Sequence, residues 1–255
     1  MLKPQLHFVA SNAPDAVLAL ETLSAEYGQY PLETATHIVA LGGDGLMLDT
    51  LHRHMDAGIP IFGMNKGTIG FLMNEYQPGA LLERIESATL TIIHPLRLRA
   101  ETADGEAHEA LAINEVSLHR QTGQASKIQI AIDGRERISE VICDGVLVAT
   151  PAGSSAYNYS AHGPIIPLSA GVLALTPISP FRPRRWRGAL LPREAKVEFT
   201  IIESSKRPVS VSTDAREIRD CVRAHIEEAP DINLKLLFDP EHNLEERILN
   251  EQFTP

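Results

Sequence analysis

Four residues with the sequence Gly-Gly-Asp-Gly, at positions 42–45, combine a tight turn with a carboxylate. They follow residues 38–41, a short apolar run that predicts a strand. After the turn, apolar residues recur at roughly helical spacing, at Leu46, Leu48, Leu51 and Met55. Residues 59–64 then predict a second buried strand, which puts the turn at the carboxyl edge of a parallel sheet. Ligands tend to bind at that edge.

The glycine turn suits a phosphate site, because glycine lets the backbone take φ > 0 and approach a ligand without a Cβ. The N–H groups at the start of the following helix attract phosphate oxygens. Asp44 is different, since a carboxylate repels a phosphate unless a metal ion or a hydroxyl lies between them. Its presence indicates chemistry as well as binding. A simple tight turn with Asp44 as the helix N-cap is the alternative, and this motif alone does not decide between them.

A second glycine loop follows the second predicted strand, where Asn65, Gly67 and Gly70 occur close together. Its position predicts a loop at the same edge of the sheet, lining the same crevice as the first turn. The alternative is that these glycines only give the loop its shape.

The composition limits the classes of protein to which this chain can belong. Its 255 residues with 44% hydrophobic content are enough to bury a sizeable core, and we expect two domains. The net charge of -10 disfavours nucleic acid as the main ligand, so any phosphate site must be local. Two widely spaced cysteines suit a reducing compartment, and no run is long and apolar enough to span a bilayer. We therefore expect a soluble cytoplasmic protein with no nucleic-acid or membrane partner.

The pattern of apolar residues divides the chain into two regions. Residues 1–95 alternate predicted strands with helices, which indicates an α/β domain with a Rossmann-like parallel sheet that carries the glycine turn. Residues 96–239 contain short runs with period-two alternation between glycine turns, which indicates a mostly β, sandwich-like domain. Helical spacing returns in residues 242–253, so we expect a C-terminal helix, within about residues 240–255, that packs back on the first domain.

Polar residues interrupt the strand pattern of the second region at two points. Asn114 and Glu115 follow the apolar sequence Ala-Leu-Ala-Ile, and a polar pair there needs either exposure or hydrogen-bond partners. Cross-strand pairing explains such a pair as readily as a binding role does. Asp144 precedes Gly145 between apolar runs, which by itself favours a hairpin turn over a binding role.

Residues 150–167 form the polar segment that is hardest to explain as a simple linker. The segment is punctuated by glycine and gathers hydroxyl, amide and phenol side chains, at Ser154, Ser155, Tyr157, Asn158, Tyr159 and Ser160. Hydroxyls and backbone N–H groups suit a ribose or a phosphate, and tyrosine faces suit a planar base. Two tyrosines so close together favour a binding loop over a solvated linker.

Taken together, these motifs resemble the bacterial NAD kinase family in both order and spacing. The resemblance rests on Leu-Gly-Gly-Asp-Gly at 41–45, Gly-Met-Asn-Lys-Gly-Thr-Ile-Gly-Phe-Leu at 63–72, Asn-Glu at 114–115, Cys-Asp-Gly at 143–145 and the segment 150–164. It covers nearly the whole chain, including the sequence His-Asn-Leu-Glu-Glu-Arg-Ile-Leu at 242–249. The segment that begins at Thr150 is specific to that family, whereas Gly-Gly-Asp-Gly alone is shared with the diacylglycerol and sphingosine kinases.

The resemblance implies an enzyme that transfers the terminal phosphoryl group of ATP to the adenosine ribose 2′-hydroxyl of NAD, giving NADP. It implies that Asp44 is the base that takes the hydroxyl proton, and that Gly42, Gly43 and Asn65 belong to the phosphate-donor loop. The implied NAD-binding set is Asp44, Gly45, Asn114, Glu115, Asp144, Ala152, Ser155, Ala156, Tyr157, Asn158, Tyr159 and Ser160. Mg²⁺ or another divalent cation would accompany ATP, and the resemblance implies a homodimer or homotetramer.

Some positions depart from the family pattern. Leu46 replaces a threonine, which removes a hydroxyl that could touch phosphate or metal, and Asp214 is followed by Ala215 where the family has glycine. Asp214 either reaches the nicotinamide end of the dinucleotide or shapes a turn. The run Arg-Pro-Arg-Arg-Trp-Arg at 182–187 either binds ATP phosphates or forms a solvated surface, and we favour the surface.

Two other functions stay open at the level of the sequence. A lipid kinase of the Gly-Gly-Asp-Gly class would need a long apolar groove and a surface attracted to membranes, which the net acidity and the tyrosine loop disfavour. A dinucleotide sensor without activity would keep Asn114 and Ser155 but has no need for Asp44. An assay of NADP formation with and without ATP separates all three hypotheses.

Overall fold

The structure is a computed structural model of the chain, and it describes residues 3–67, 70–184 and 186–240. Among these residues, those up to Ile93 together with those from Ile232 onward form one compact unit, and His94–Asp231 form a second. Within the described ranges, no helix is long and apolar enough to cross a membrane. The helix predicted over residues 242–253 lies outside the described residues.

The described part of the chain contains four α-helices and seventeen β-strands. The helices are α1 (Pro14–Tyr27), α2 (Asp44–Arg53), α3 (Leu81–Ser87) and α4 (Tyr157–Ser160), with short 3-10 helices at Met55–Ala57 and Ala152–Ser155. The first ten strands are β1 (Leu6–Ala10), β2 (His37–Gly42), β3 (Ile61–Asn65), β4 (Thr89–Ile93), β5 (Leu96–Thr102), β6 (Ala107–Ala112), β7 (Glu115–Arg120), β8 (Ser126–Ile132), β9 (Arg135–Cys143) and β10 (Gly145–Ala149). The remaining strands are β11 (Val172–Ile178), β12 (Ala189–Pro192), β13 (Val197–Ile201), β14 (Val209–Ser212), β15 (Glu217–Ile218), β16 (Cys221–Glu228) and β17 (Leu234–Phe238).

The sheet of the first unit has five strands in the order β1-β2-β3-β17-β4. The strands β1, β2, β3 and β17 run parallel, and β4 is antiparallel to β17. Helices α1 and α3 cover one face, where a buried cluster includes Leu23, Phe62 and Leu81. Helix α2 lies against the opposite face, since a Cβ on Gly63 of β3 would lie 2.4 Å from Cε of Met47. The predicted α/β domain with a parallel sheet is confirmed.

Helix α1 begins and ends where the residue types require it. Pro14 lies in the first turn, where its missing N–H would have no partner within the helix. Gly28 follows the last turn at φ 85°, a backbone conformation that favours glycine, and its N–H bonds to the carbonyl oxygen of Ser24.

Strand β17 joins the first unit, although the sequence pattern placed it in the second domain. Strand β17 pairs with β3 in parallel on one side and with β4 in antiparallel on the other. Its apolar run is nearly continuous, and Leu234, Leu236 and Phe238 are all buried. Such a run is typical of a strand that is covered on both faces of a parallel sheet. The chain therefore returns to the first unit at Ile232 rather than near residue 240.

The second unit is a sandwich of two six-stranded sheets with antiparallel pairing. One sheet has the order β12-β11-β10-β7-β14-β15, and the other has the order β6-β5-β16-β13-β8-β9. Side chains from both sheets form one buried cluster, with Val116 and Val148 from the first sheet and Ile128 and Phe199 from the second. This packing of two inner faces around a common core confirms the predicted sandwich-like domain.

Asp144 marks the point where the chain crosses from one sheet of the sandwich to the other. Strand β9 ends at Cys143 in one sheet, and β10 begins at Gly145 in the other. The prediction of a hairpin turn at the sequence Asp-Gly is therefore wrong, because β9 and β10 do not pair with each other. Gly145 is needed for a different reason, because a Cβ there would lie 1.9 Å from the carbonyl oxygen of Leu118.

Replacement of Phe199 by alanine tests the sandwich core. The side chain is fully buried between the sheets, so Phe199→Ala leaves a cavity, and we expect the free energy of unfolding to fall by about 3–5 kcal/mol. Chemical denaturation measures this change. Leu18→Ala, at an exposed position of α1, is the control and should change stability by less than about 0.5 kcal/mol. Equal losses in the two variants would contradict this description of the core.

Candidate active site

The glycine turn joins β2 to α2 and leaves the start of the helix open. Gly43 is the N-cap of α2, with an extended backbone at φ −116° and ψ −170°. None of Gly42, Gly43 and Gly45 has a positive φ, so the expected left-handed backbone is wrong. Packing favours glycine at position 42, because a Cβ there would lie 2.8 Å from Cδ2 and 3.0 Å from Cβ of Leu46. Nothing lies within 4 Å of a Cβ built at Gly43 or Gly45, which leaves room for a ligand beside the N–H groups of the helix start.

The Asp44 carboxylate binds the backbone of the second glycine loop. Its Oδ2 accepts a hydrogen bond from the N–H of Phe71 at 2.8 Å, and its Oδ1 accepts one from the N–H of Leu72 at 2.9 Å. Asp44 is the first residue of α2 and Gly43 is the N-cap, so the N-cap interpretation of Asp44 is wrong. The carboxylate instead joins the two glycine loops of the first unit.

The second glycine loop lies against the first. The N–H of Lys66 donates to the carbonyl oxygen of Gly42 at 2.7 Å, and a Cβ on Gly67 would lie 3.7 Å from Cα of Gly43. Asn65 turns the loop, since its Oδ1 accepts a hydrogen bond from the N–H of Gly67 at 2.9 Å. The prediction that both loops lie at the same edge of the sheet is confirmed.

Two residues near this edge were missed by the sequence analysis. The Lys66 ammonium lies 3.4 Å from the centroid of the Tyr76 ring, which places a cation on the second loop. Asn74 is fully buried, and its amide nitrogen donates to the carbonyl oxygens of Gly63 and Leu237. An amide at the end of the apolar sequence Phe-Leu-Met was the available signal, because a buried polar side chain needs partners.

In the second unit, the backbone around Asn114 and Thr150 forms one locked cluster. The N–H of Thr150 donates to the carbonyl oxygen of Asn114 at 2.9 Å, and its hydroxyl donates to that of Ile113 at 2.7 Å. Gly153 packs directly on this backbone, because a Cβ there would lie 2.2 Å from the carbonyl oxygen of Asn114. The structure thus brings together two motifs that are separate in the sequence.

Asp214 holds the backbone that presents Asn114. Its carboxylate accepts hydrogen bonds from the N–H groups of Ile113 and Asn114, the second at 3.1 Å. The sequence left open whether Asp214 reaches a ligand or shapes a turn. The structure gives it a supporting role directly behind the candidate NAD-binding pair.

Burial gives Glu115 unusual acid–base properties. Desolvation, with a smaller contribution from the charge of Asp214, raises the pKa of Glu115 from 4.5 to about 7. Its Oε2 is buried and has no hydrogen-bond partner among the described residues. Near neutral pH a large fraction of Glu115 is therefore protonated, and this carboxyl group can donate as well as accept a hydrogen bond.

The Tyr157 ring stacks on the ring of His119. The two centroids are 5.5 Å apart and the ring planes differ by 26°. Burial lowers the pKa of His119, so its imidazole is neutral at pH 7. Burial, and then the charges of Glu115 and Asp144, raise the pKa of Tyr157, which keeps the phenol protonated. An uncharged aromatic pair therefore supports the candidate binding loop.

Asn158 supports this loop from the inside. Its side chain is fully buried, and its amide nitrogen donates to the carbonyl oxygens of Ser154 at 3.0 Å and Pro164 at 2.8 Å. Its Oδ1 accepts a hydrogen bond from the Thr176 hydroxyl at 2.6 Å. These bonds engage the Asn158 side chain within the protein, where it holds the loop, and its place in the predicted NAD-binding set stays a prediction.

The other loop residues of the predicted NAD-binding set differ in exposure. Tyr159 is 46% exposed and Ser160 is also exposed, whereas Ser155 and Ala156 are half-buried. Ala152 is buried under the loop, with 7% exposure. The exposed and half-buried members are the ones that a ligand can contact directly.

Asp144 lies at the other end of β10 from Thr150. The five-residue strand between them corresponds to about 20 Å of extended chain. The Asp144 carboxylate is ion-paired with Arg120, and the N–H of Arg120 also donates to the carbonyl oxygen of Asp144. The structure therefore does not bring Asp144 against Thr150, although its charge contributes to the raised pKa of Tyr157.

The arginines of the run 182–187 are exposed wherever the structure describes them, whereas Trp186 is half-buried against the sandwich core. The guanidinium groups of Arg182 and Arg184 lie 5.6 Å and 5.7 Å from the centroid of the Phe181 ring. Both residues and Arg187 are exposed, and Arg185 lies outside the described residues. This arrangement is consistent with the solvated surface that the sequence analysis favours.

Comparisons with known proteins identify the family. Sequence models of the ATP-NAD kinase N-terminal and C-terminal domains match residues 29–88 and 113–223. A protein named NAD kinase from Cereibacter sphaeroides is 55% identical over 253 residues, which cover 99% of this chain and 100% of the relative. Another, from Caulobacter vibrioides, is 56% identical over 259 residues and covers 100% of both chains. The chain belongs to the ATP-NAD kinase family.

Solved structures of ATP-NAD kinase relatives have the same fold. Yeast NADH kinase complexed with NADH matches with a TM-score of 0.79 at 21% identity, over 98% of this chain and 88% of that chain. An NAD kinase from Archaeoglobus fulgidus in complex with ATP matches with a TM-score of 0.74 at 22% identity, over 97% and 98%. Membership of the ATP-NAD kinase family makes the chain an enzyme of the kinase class, and it replaces the lipid-kinase and sensor alternatives.

Gly153→Ala tests the contact between the binding loop and Asn114. The new Cβ would lie 2.2 Å from the Asn114 carbonyl oxygen, so the loop must move, and we expect the dissociation constant for NAD to rise by at least about tenfold. Titration calorimetry measures this change. Gly79→Ala is the control, because no atom lies within 4 Å of its added Cβ. Unchanged NAD affinity in Gly153→Ala would contradict the locked arrangement.

The raised pKa of Glu115 makes stability depend on pH. Since the folded pKa of about 7 exceeds the unfolded value of 4.5, the contribution of this group is fully present below pH 4.5 and is lost as the pH rises to 7. Glu115→Gln does not ionise, so it should gain stability over the parent protein between pH 5 and pH 8, by at most about 3 kcal/mol.

Urea denaturation of both proteins at several pH values measures this gain. Glu33→Gln, at an exposed position, is the control and should show no gain that grows with pH. A constant difference between Glu115→Gln and the parent protein across this range would contradict the raised pKa.

Proposed function

We propose that the enzyme transfers the terminal phosphoryl group of ATP to the 2′-hydroxyl of the adenosine ribose of NAD, which yields NADP and ADP. The observation that carries the proposal is the Asp44 carboxylate, held by two backbone N–H groups beside two open glycines at the start of α2. The family relationship supports the choice of substrates, because the matching domains are described as those of ATP-NAD kinases.

In this proposal Asp44 is the general base. The 2′-hydroxyl gives its proton to a carboxylate oxygen while the ribose oxygen forms a bond to the terminal phosphorus, and the bond from that phosphorus to the bridging oxygen of ADP breaks. A carboxylate has about four lone-pair sites, so two N–H bonds do not exhaust its acceptor capacity. Because an aspartate is a weak base, it accepts the proton late, when the forming P–O bond has made the hydroxyl acidic.

The donor phosphates belong, in this proposal, beside the first turn of α2. Gly43 and Gly45 leave space there, and the N–H groups of the first helical turn attract negative charge. Gly42 and Asn65 hold the two loops in place, and Lys66 adds a positive charge to the same edge. Phosphoryl transfer depends mainly on positioning and charge neutralisation, which this arrangement can supply.

We assign recognition of NAD to the cluster of the second unit. The backbone of Asn114 is held by Asp214 and Thr150, so the residue is presented from a fixed position. Glu115 can exchange hydrogen bonds with a ribose or adenine edge in either protonation state. The rings of Tyr157 and Tyr159 offer faces for a planar base, and Ser155 and Ser160 offer hydroxyls to the sugar.

Mg²⁺ or another divalent cation enters this proposal as the companion of ATP. Among residues 3–67, 70–184 and 186–240, no group of three or more His, Cys, Asp or Glu side chains is arranged to hold a metal. This fits a cation carried mainly by substrate phosphates and water, as is usual for Mg²⁺ at nucleotide sites. When bound, the cation would neutralise phosphate charge, and Asp44 is the carboxylate of the turn that would face it.

We further propose that the enzyme acts in the cytoplasm as a homodimer or homotetramer. Phe181 and Leu190 of the second unit are 54% and 55% exposed, and large apolar side chains at the surface are candidates for burial between subunits. Light scattering by the purified protein measures the state of assembly.

Asp44→Asn tests the role of the carboxylate. The amide oxygen can still accept one N–H bond but the side chain cannot take a proton, so we expect normal folding, NAD affinity within about twofold, and turnover lowered by about 10²–10⁴-fold. An assay of NADP formation with saturating ATP and NAD measures the turnover. Asp56→Asn, in the short 3-10 helix after α2, is the control and should retain full activity. Near-full turnover in Asp44→Asn would refute the base role.

A further inference from the structure

We infer that Asn74 is a positioning residue for the Asp44 carboxylate, acting through the backbone N–H groups of Phe71 and Leu72. The sequence motifs do not include Asn74, and it lies away from the reacting groups. The inference rests on the proposed function, because positioning matters for turnover only if Asp44 takes part in the reaction.

The Asp44 carboxylate depends for its orientation on a loop that is distant in sequence. Its two oxygens are each engaged by a different N–H group, those of Phe71 and Leu72, at 2.8 Å and 2.9 Å. Two bonds to two oxygens fix both the direction and the rotation of the carboxylate plane. The orientation of the carboxylate therefore depends on the position of these two donors.

Asn74 fixes the residues that carry the donors. Its N–H donates to the carbonyl oxygen of Gly63 at 2.8 Å, and its own carbonyl oxygen accepts from the N–H of Asn65 at 2.8 Å. Its Nδ2 donates to the carbonyl oxygens of Gly63 at 3.0 Å and Leu237 at 2.9 Å, and its Oδ1 accepts from the N–H of Asp239 at 2.9 Å. Asn74 is fully buried, so these bonds form away from water, and loss of one leaves a buried polar group unsatisfied. One amide thereby ties the loop to β3 and to the end of β17.

The segment between Asn74 and the two N–H donors is short and tightly packed. Leu72 and Met73 lie between Phe71 and Asn74, and both are buried, with 3% and 0% exposure. Met73 fills space that exists because Gly63 has no side chain, since a Cβ there would lie 2.6 Å from its Sδ. In close packing of this kind, a shift at Asn74 is transmitted along the segment rather than absorbed.

A buried ion pair holds the other side of the same segment. Arg84 and Asp239 have side chains that are 13% and 11% exposed, and they form an ion pair. Arg84 also donates to the carbonyl oxygens of Glu75 and Gln77. The backbone after Asn74 is thus fixed independently of the active-site residues, and Asn74 connects that fixed backbone to the donors of Asp44.

Asn74→Ala is the test of this inference. It removes the three side-chain hydrogen bonds, so we expect kcat for NADP formation to fall by about 10-fold to 100-fold through misplacement of the base. The KM values for NAD and ATP should stay within about twofold, because neither substrate touches Asn74 in the proposal.

Leu23→Ala is the matched control for lost stability. Leu23 of α1 is fully buried in the first unit but belongs to a different part of its core. Leu23→Ala should lower the melting temperature, while kcat and both KM values at a permissive temperature stay as in the parent protein. If Asn74→Ala behaves in the same way as Leu23→Ala, the inference is overturned.

A double-mutant cycle separates this inference from the proposed function. In the Asp44→Asn background, Asn74→Ala should lower kcat no further, because the group that it positions is already inactive. An equal additional loss in that background would overturn the inference and leave the role of Asp44 intact. Near-full turnover of Asp44→Asn alone would instead overturn the proposed base, whatever Asn74→Ala does.

Discussion

The candidate site of the first unit depends on one interaction, in which the Asp44 carboxylate accepts hydrogen bonds from two backbone N–H groups. Two backbone N–H dipoles aimed at a carboxylate stabilise its negative charge without adding a cation, which the proposed position of the donor phosphates beside it requires. Asp44 is the first residue of α2, and the two N–H groups that bind its carboxylate lie in the loop that follows β3. The ends of two neighbouring parallel strands are thereby joined through a side chain. The sheet, α2 and β17 act together as the support of this contact.

The second unit contributes a site of a different electrical character. Its candidate binding residues are largely uncharged in the folded state, since Glu115 is half-neutralised by burial and the rings of His119 and Tyr157 carry no charge near pH 7. The Asp214 carboxylate accepts hydrogen bonds from two backbone N–H groups. A weakly charged surface with many donors and acceptors suits a sugar and a base better than a polyphosphate. This difference in charge agrees with the proposal that the first unit carries the reacting groups and the second unit recognises NAD.

The sequence predicted those features that depend on local pattern. The turn at Asp44, the helix after it and the sandwich strands follow from apolar periodicity and glycine punctuation, which are short-range signals. The choice of sheet for β17, the crossing at Asp144 and the inward orientation of Asn158 depend on contacts between distant parts of the chain. Local patterns do not encode those contacts. The sequence analysis explained Gly42 by a need for positive φ. In the structure its φ is not positive, and the close approach of Leu46 favours glycine there instead.

The position of β17 has a consequence for how the protein is made. In the described chain β4 pairs only with β17, so the first sheet keeps a gap beside β3 until residues 234–238 have left the ribosome. The residues His94–Asp231 are contiguous, and they can close their own core while synthesis continues. The unit that begins the polypeptide is therefore completed only after the second unit has been synthesised.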